Sequence, residues 1–269
     1  EYTRLLADTE LKGVKKMRLF FHVTASWVLN KKAETIIAET GISPHTLYDY
    51  YGRLQKVVDK TIQNIADDRE MMLGGIGVIV EVDECHLYSP KYGRGDAPTN
   101  AAVWVVGLIE RDGNGVGRKS AFMLTTVRSA AVLVPFIRKW VAPGTILISD
   151  EWRGYSAALD GFYVRAKINH KRRFSYQAVV DGRELSVNTN HIEREWREVR
   201  KALVGRSIGH YNAALNKEIF RLLFLAGKPA EARPYIFMEK VAELAKRERA
   251  KLNETSCCRT CNSIGSHIS

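Results

Sequence analysis

The sequence predicts a mixed α/β domain preceded by a helical segment. Two patterns lead there. Up to residue 72, apolar residues recur at helical spacing between polar ones; after the glycine-rich break Leu73-Gly74-Gly75-Ile76-Gly77, short β-branched runs alternate with turns. A third observation concerns partners: 41 Lys+Arg against 30 Asp+Glu leaves a net charge of +11, which favours a polyanionic partner. A hydrophobic share of 45% suits a packed core and excludes a wholly disordered chain. No uncharged apolar run is long enough to span a bilayer, and no secretory leader is read, so no membrane partner is expected.

The helical segment is read over 1–72. Ala33, Ile36, Ile37 and Thr40 share a helical face, and Gly41 ends that helix. Ser43 is a good N-cap, with Pro44 at the first helical position, and Leu47, Tyr51, Leu54 and Val58 form the stripe of the next helix. Helix, glycine turn and capped helix match a helix-turn-helix, and equally an ordinary helical hairpin.

The α/β domain is read over 73–227. Val78 to Asp83, Ala101 to Ile109 and Ser120 to Val127 are three strands, the last two separated by the turn Asp112-Gly113-Asn114-Gly115. Ala130 to Val141 is a helix with Val134, Ile137 and Trp140 inward. Pro143-Gly144 breaks it before the buried strand Thr145 to Asp150. Phe162 to Ile168 reads as a further strand, and Asn190 to Leu203 and Asn212 to Ala226 as helices. Residues 228–269 are expected to form a C-terminal helix and a flexible tail. Cys257, Cys258 and Cys261 crowd that tail, with Cys85 alone in the body, which argues for a reducing compartment. Cys258 and Cys261 have zinc-knuckle spacing, but with only His267 to help them they fall short of four ligands, and a thiol-bearing tail is the preferred reading.

Chemistry concentrates in three acids. Asp83 and Asp150 end separate apolar strands, where side chains of an α/β sheet converge on a cleft. Glu193 lies beside the apolar stripe Ile192, Trp196, Val199 and Leu203, with Arg197 and Arg200 on its own flank. Three carboxylates on different elements suit two hard divalent cations, Mg²⁺ or Mn²⁺, acting on a phosphodiester. Strand-terminal Asp residues also serve simply as turn formers. From Phe162 to Arg206, eleven Lys/Arg face five Asp/Glu. Within that stretch, Lys171, Arg172 and Arg173 adjoin Phe174 and Tyr176, a mixture suited to phosphate contacts and base stacking.

Several blocks, in order, resemble one family. Val80-Glu81-Val82-Asp83-Glu84 with Lys91-Tyr92-Gly93-Arg94-Gly95, then Trp104 to Arg111, then Pro143 to Tyr155, then Ile168-Asn169-His170, and finally Asn188 to Lys201 are similar to Merlin-type transposases. These are related to bacterial insertion-sequence transposases, and their domain is often called ISXO2-like. The resemblance spans residues 42–225. It implies a ribonuclease-H-like fold, a mixed sheet with flanking helices, and a DDE triad at Asp83, Asp150 and Glu193. Arg200 falls where the family often has Lys, and Asn190 is the fallback for the third acid, because some relatives use Asn there. Asn188 stands where the family usually has His.

The function implied is a DNA transposase that cuts and joins a mobile element by Mg²⁺- or Mn²⁺-dependent phosphoryl transfer. Its partners would be the element's terminal repeats and target DNA, with a homo-oligomer during synapsis. It would work in the nucleus of a eukaryotic host, otherwise in the cytoplasm or nucleoid. His45, Thr46 and Arg53, off the apolar stripe of the capped helix, are the candidate groove contacts, beside Asp49. The alternatives are a non-catalytic, domesticated DNA-binding derivative, and a structure-selective nuclease on the same fold.

Overall fold

The computed structural model describes residues 14–68, 72–88, 102–111, 119–150, 159–168, 175–180, 182–204, 206–243 and 245–247. Contacts divide the chain into two units, one comprising Glu1–Val57 with Lys228–Ser269 and the other Val58–Gly227.

In the first unit, α1 (Val14–Val28), α2 (Ala33–Thr40) and the start of α3 (Pro44–Asp67) each give one fully buried side chain to a common core: Val23, Ile36 and Leu47. The α2–α3 junction forms by local chemistry. Gly41 takes φ 69°, a left-handed conformation that costs a residue with a Cβ about 1–2 kcal/mol, and its N–H closes the helix on the Ile37 carbonyl at 2.8 Å. Ser43 Oγ then accepts the Thr46 N–H at 3.1 Å and caps α3. Trp27 meets Phe237, in the helical stretch 233–243, edge to face at 5.7 Å.

The second unit is built on a five-stranded mixed sheet, in the order β4 (Ser120–Thr125), β3 (Val103–Arg111), β2 (Ile79–Tyr88), β6 (Ile146–Asp150) and β7 (Val164–Ile168). Strands β2, β3 and β4 form an antiparallel meander. After α4 (Ala130–Trp140), β6 and β7 add parallel to β2. Both faces of the central strands are covered, so they read as continuous apolar runs: Val80, Val82, Val105, Val106, Leu108, Ile109, Ile146, Leu147 and Ile148 are all buried. Short β1 (Leu73–Gly74) and β5 (Val141–Ala142) pair in parallel beside this sheet. A hairpin, β8 (Tyr176–Val180) and β9 (Arg183–Val187), leads into α5 (Asn190–Leu203). A 3₁₀ turn (Ile208–His210), α6 (Tyr211–Phe220) and a π-helical turn (Arg221–Leu225) follow.

Three sequence expectations change here. The first strand does not stop at Asp83 but continues to Tyr88, because β3 offers partners along its whole length. Asp83 is therefore mid-strand, at the point where pairing with β6 runs out after Val82–Ser149. The expected helix Asn212 to Ala226 becomes α6 with a π-helical end. The hairpin was not anticipated. Its apolar face, Tyr176, Ala178, Val180 and Val187, packs on Ile148, Ala166 and Ile168. The turn 112–115, the motif blocks at 91–95 and 151–155, Lys171, Arg172, Arg173 and the C-terminal cysteines lie outside the described residues.

Candidate active site

Alternation along β2 sends Glu81, Asp83 and Cys85 to one face, and each is engaged by α5. Glu81 is wholly buried. Its Oε2 accepts the backbone N–H groups of His191 and Ile192 at 2.9 and 3.0 Å, and its Oε1 receives Arg111 Nε at 2.6 Å and pairs with His191 Nδ1 at 2.7 Å. One turn on, Trp196 Nε1 donates to Asp83 Oδ2 at 2.7 Å. Another turn on, Arg200 Nε donates to Cys85 Sγ at 3.2 Å and Arg200 Nη2 to the His86 carbonyl at 3.3 Å. Four helical residues rise about 6 Å and two strand residues about 6.6 Å, so the two ladders stay in step.

The helix cap therefore comes from a neighbouring strand. Thr189 occupies the N-cap position without a capping side-chain bond, and Glu81 satisfies the first N–H groups instead. Arg111 completes the arrangement, donating to the carbonyls of Ser186 and Asn188 at 2.7 Å each and to Asn188 Oδ1 at 3.0 Å. Asn188 Oδ1 also accepts the Asn190 N–H at 3.2 Å.

Asp83 and Asp150 sit on adjacent parallel strands one step past the Val82–Ser149 pair. Burial, with smaller contributions from the negative charges of Glu84 and Asp150, raises Asp83 from its ordinary 3.8 to about 6, against the hydrogen bonds from Trp196 and the Glu84 N–H. Glu84 points to the opposite face, where Arg128 pairs with it. Two crowded carboxylates, one of them poorly solvated, form a donor set suited to a hard divalent cation.

A family model, the ISXO2-like transposase domain, matches residues 72–213. The chain belongs to that family. Among curated proteins no similar sequence is found. The matched span takes in the whole transposase sheet, the hairpin, α5 and the start of α6. Among the described residues, no helix is long and apolar enough to cross a membrane.

Within this transposase domain, α5 carries Glu193 on a definite flank. Glu195, buried, faces the π-helical turn that follows α6 and receives Arg221 Nη2 at 3.0 Å. At about 100° per residue, Glu193 and Arg200 fall on the other flank, away from Arg221. Glu193 is exposed and accepts a hydrogen bond from Thr189 Oγ1 at 2.7 Å. It does not close a cluster with the two aspartates: among the described residues, no three His, Cys, Asp or Glu side chains lie together as a metal site. Asn190, the fallback, is exposed at the first position of α5. Arg197 is exposed and pairs with Glu198 at 3.3 Å. In the first unit His45 and Thr46 are exposed, while Arg53 pairs with Asp49 at 3.0 Å.

The sequence gives no role to Glu81, Arg111 or His191, and reads Trp196 as core alone. One signal was present: an acid at every second position of an apolar strand, Glu81 and Asp83, means that both face the same way and one needs a buried partner.

Two outcomes follow. Glu81→Ala strips the cap and leaves Arg111 without its carboxylate. It should cost about 3 kcal/mol or more, with Glu81→Gln milder, in denaturant melts; an unchanged midpoint for Glu81→Ala would rule the cap out. In metal-free protein, Asp83 takes up a proton in the folded state between pH 4 and 6 that the unfolded chain does not. Stability therefore falls as pH rises through that window, with a penalty of about 3 kcal/mol above it. Asp83→Asn should raise the melting temperature at pH 7.5 and lose that advantage near pH 4; equal melting at both would show Asp83 to be well solvated.

Proposed function

We propose that this chain is a DNA transposase in which Asp83, Asp150 and Glu193 form a DDE triad. The observation carrying this reading is the side-by-side placement of Asp83 and Asp150 on adjacent parallel strands beneath a helix held in register by Glu81, Trp196 and Arg200. The five-stranded mixed sheet is compatible with a ribonuclease-H-like fold, as is membership of the transposase family. Mg²⁺ or Mn²⁺, two ions held by the three carboxylates, would supply charge to activate the attacking oxygen and to stabilise the leaving one.

The chain's own groups have defined tasks. Asp83 and Asp150 present oxygens from a rigid sheet, so their positions are set before DNA arrives. Glu193 gives up its bond to Thr189 to join them. Arg200 is exposed at the site's edge and reaches a backbone phosphate; it serves as a clamp, since a guanidinium does not deprotonate. Water attacks a phosphodiester at the element end, and the freed 3′-hydroxyl attacks target DNA in a second displacement. His45 and Thr46 on α3, with Arg53, contact a DNA groove. Lys171, Arg172, Arg173 and Arg197 add phosphate contacts, and two copies bring two ends together.

The deciding experiment incubates the protein with candidate element ends and Mg²⁺ or Mn²⁺. Nicked and joined products are expected from the wild type. Asp83→Asn, Asp150→Asn and Glu193→Gln should each lose cleavage by several orders of magnitude while binding DNA nearly as before. Full activity in Glu193→Gln with loss in Asn190→Ala would move the third role to Asn190. Binding by the wild type without cleavage, in both metals, would favour a domesticated DNA-binding protein.

Arg200→Ala should weaken DNA binding uniformly across sequences and lower the slope of log affinity against log salt by about 1. An unchanged slope would mean that Arg200 stays on Cys85 and His86 in the complex.

A further inference from the structure

We infer that Trp196 is a positioning residue whose indole N–H fixes the Asp83 carboxylate, and that Gly107 lacks a side chain so that the indole can reach it. The inference rests on the reading of Asp83 as a metal-holding carboxylate.

The geometry is a row across three strands. Asp83 on β2 pairs with Gly107 on β3, and Gly107 pairs with Phe122 on β4. The indole of Trp196 lies along that row. Its Nε1 end meets Asp83 Oδ2 at 2.7 Å, and its Cη2, on the far side of the ring system, would lie 2.6 Å from a Cβ placed on Gly107. The Phe122 ring is 5.9 Å away, tilted at 55°. Ile192 Cδ1 and Phe122 Cε1 also crowd the same point, at 2.8 and 3.0 Å. Gly107 stands inside an otherwise bulky run, Val103 to Ile109, where a glycine weakens a strand. Close approach of the indole accounts for it.

Trp196 is nearly buried, and its one donor is spent on Asp83. A Leu or Phe at this position would satisfy the apolar stripe of α5 without that donor. The bond holds one carboxylate oxygen toward the helix and removes the side chain's freedom to rotate. Outer partners of this kind commonly set metal affinity by factors of roughly ten to a hundred.

The test uses the full chain as wild type, Trp196→Phe, Gly107→Ala and Asp83→Asn. Mn²⁺ binding without DNA is followed by the electron paramagnetic resonance of free Mn²⁺, and metal-dependent cleavage is measured across DNA concentrations. Trp196→Phe should weaken Mn²⁺ binding by roughly tenfold or more and lower the cleavage rate at saturating DNA, with the DNA concentration for half-maximal rate unchanged. Gly107→Ala keeps the donor but displaces the ring, and should reproduce both losses. It also decides the matter if Trp196→Phe fails to fold. A folded Trp196→Phe or Gly107→Ala that melts lower yet binds Mn²⁺ and cleaves as wild type would reduce the indole to a packing role and overturn the inference. In that case Asp83→Asn remains inactive and the triad reading stands. Wild-type Mn²⁺ affinity in Asp83→Asn would instead remove the metal role of Asp83, and the indole's role with it.

Discussion

The candidate site depends on a buried carboxylate that belongs to no predicted active-site set. Glu81 has no exposure, yet two helix N–H groups, the Arg111 guanidinium and the His191 ring surround it. A helix N-terminus carries partial positive charge, so a carboxylate there is doubly satisfied, by hydrogen bonds and by the dipole. Removing the charge from such a position is costly because its partners are left buried and unmatched. Glu81 thus anchors the start of α5 to the strand that carries Asp83, and everything further along the helix inherits that register. Trp196 and Arg200 read it out at the second and third turns.

Asp83 shows the opposite economy. Its neighbours include a carboxylate on the same strand and another on β6, and burial raises its pKa to about 6 despite the Trp196 bond. Groups whose pKa is shifted this far by burial cluster at functional sites. Cys85, two residues on, is also pushed up by burial, and the Arg200 bond works against that push. Along six ångströms or so of strand, the protein places one carboxylate that is fully compensated and another that is not. Only Glu81 meets a helix terminus and a guanidinium.

Much of this arrangement was legible in the sequence. Asp83 and Asp150 stood out because acids interrupt apolar runs, and they are neighbours in the sheet. The α5 stripe of Ile192, Trp196, Val199 and Leu203 is buried as its spacing implies. What escaped was tertiary. The strand through Asp83 looked finished because Glu84, Cys85 and His86 break the β-branched pattern. Its continuation is imposed by pairing with β3 and by the Glu84–Arg128 contact. The hairpin Tyr176–Val187 was invisible because its strands, five residues each, mix Gln, Arg, Glu and Ser with Val. Only packing on Ile148 and Ile168 gives them a face. Trp196 read as core because a stripe position does not reveal where an indole nitrogen points.

Helical geometry also bears on which residue would complete the proposed triad. Trp196 points at Asp83, and its direction serves as a reference on α5. Three residues earlier, Glu193 is about 60° from that direction and about 4.5 Å back along the axis; Asn190 is about 120° away and about 9 Å back. Asn190 also begins the helix, where its backbone N–H is taken by Asn188 Oδ1. The Glu193 carboxylate accepts the hydroxyl of Thr189, itself buried within the same turn. In the proposed triad, Glu193 would exchange that neutral donor for a place beside Asp83 and Asp150. For Asn190 to serve, the helix start that Glu81 and Asn188 fix would have to turn. The constraint that sets the register therefore favours Glu193.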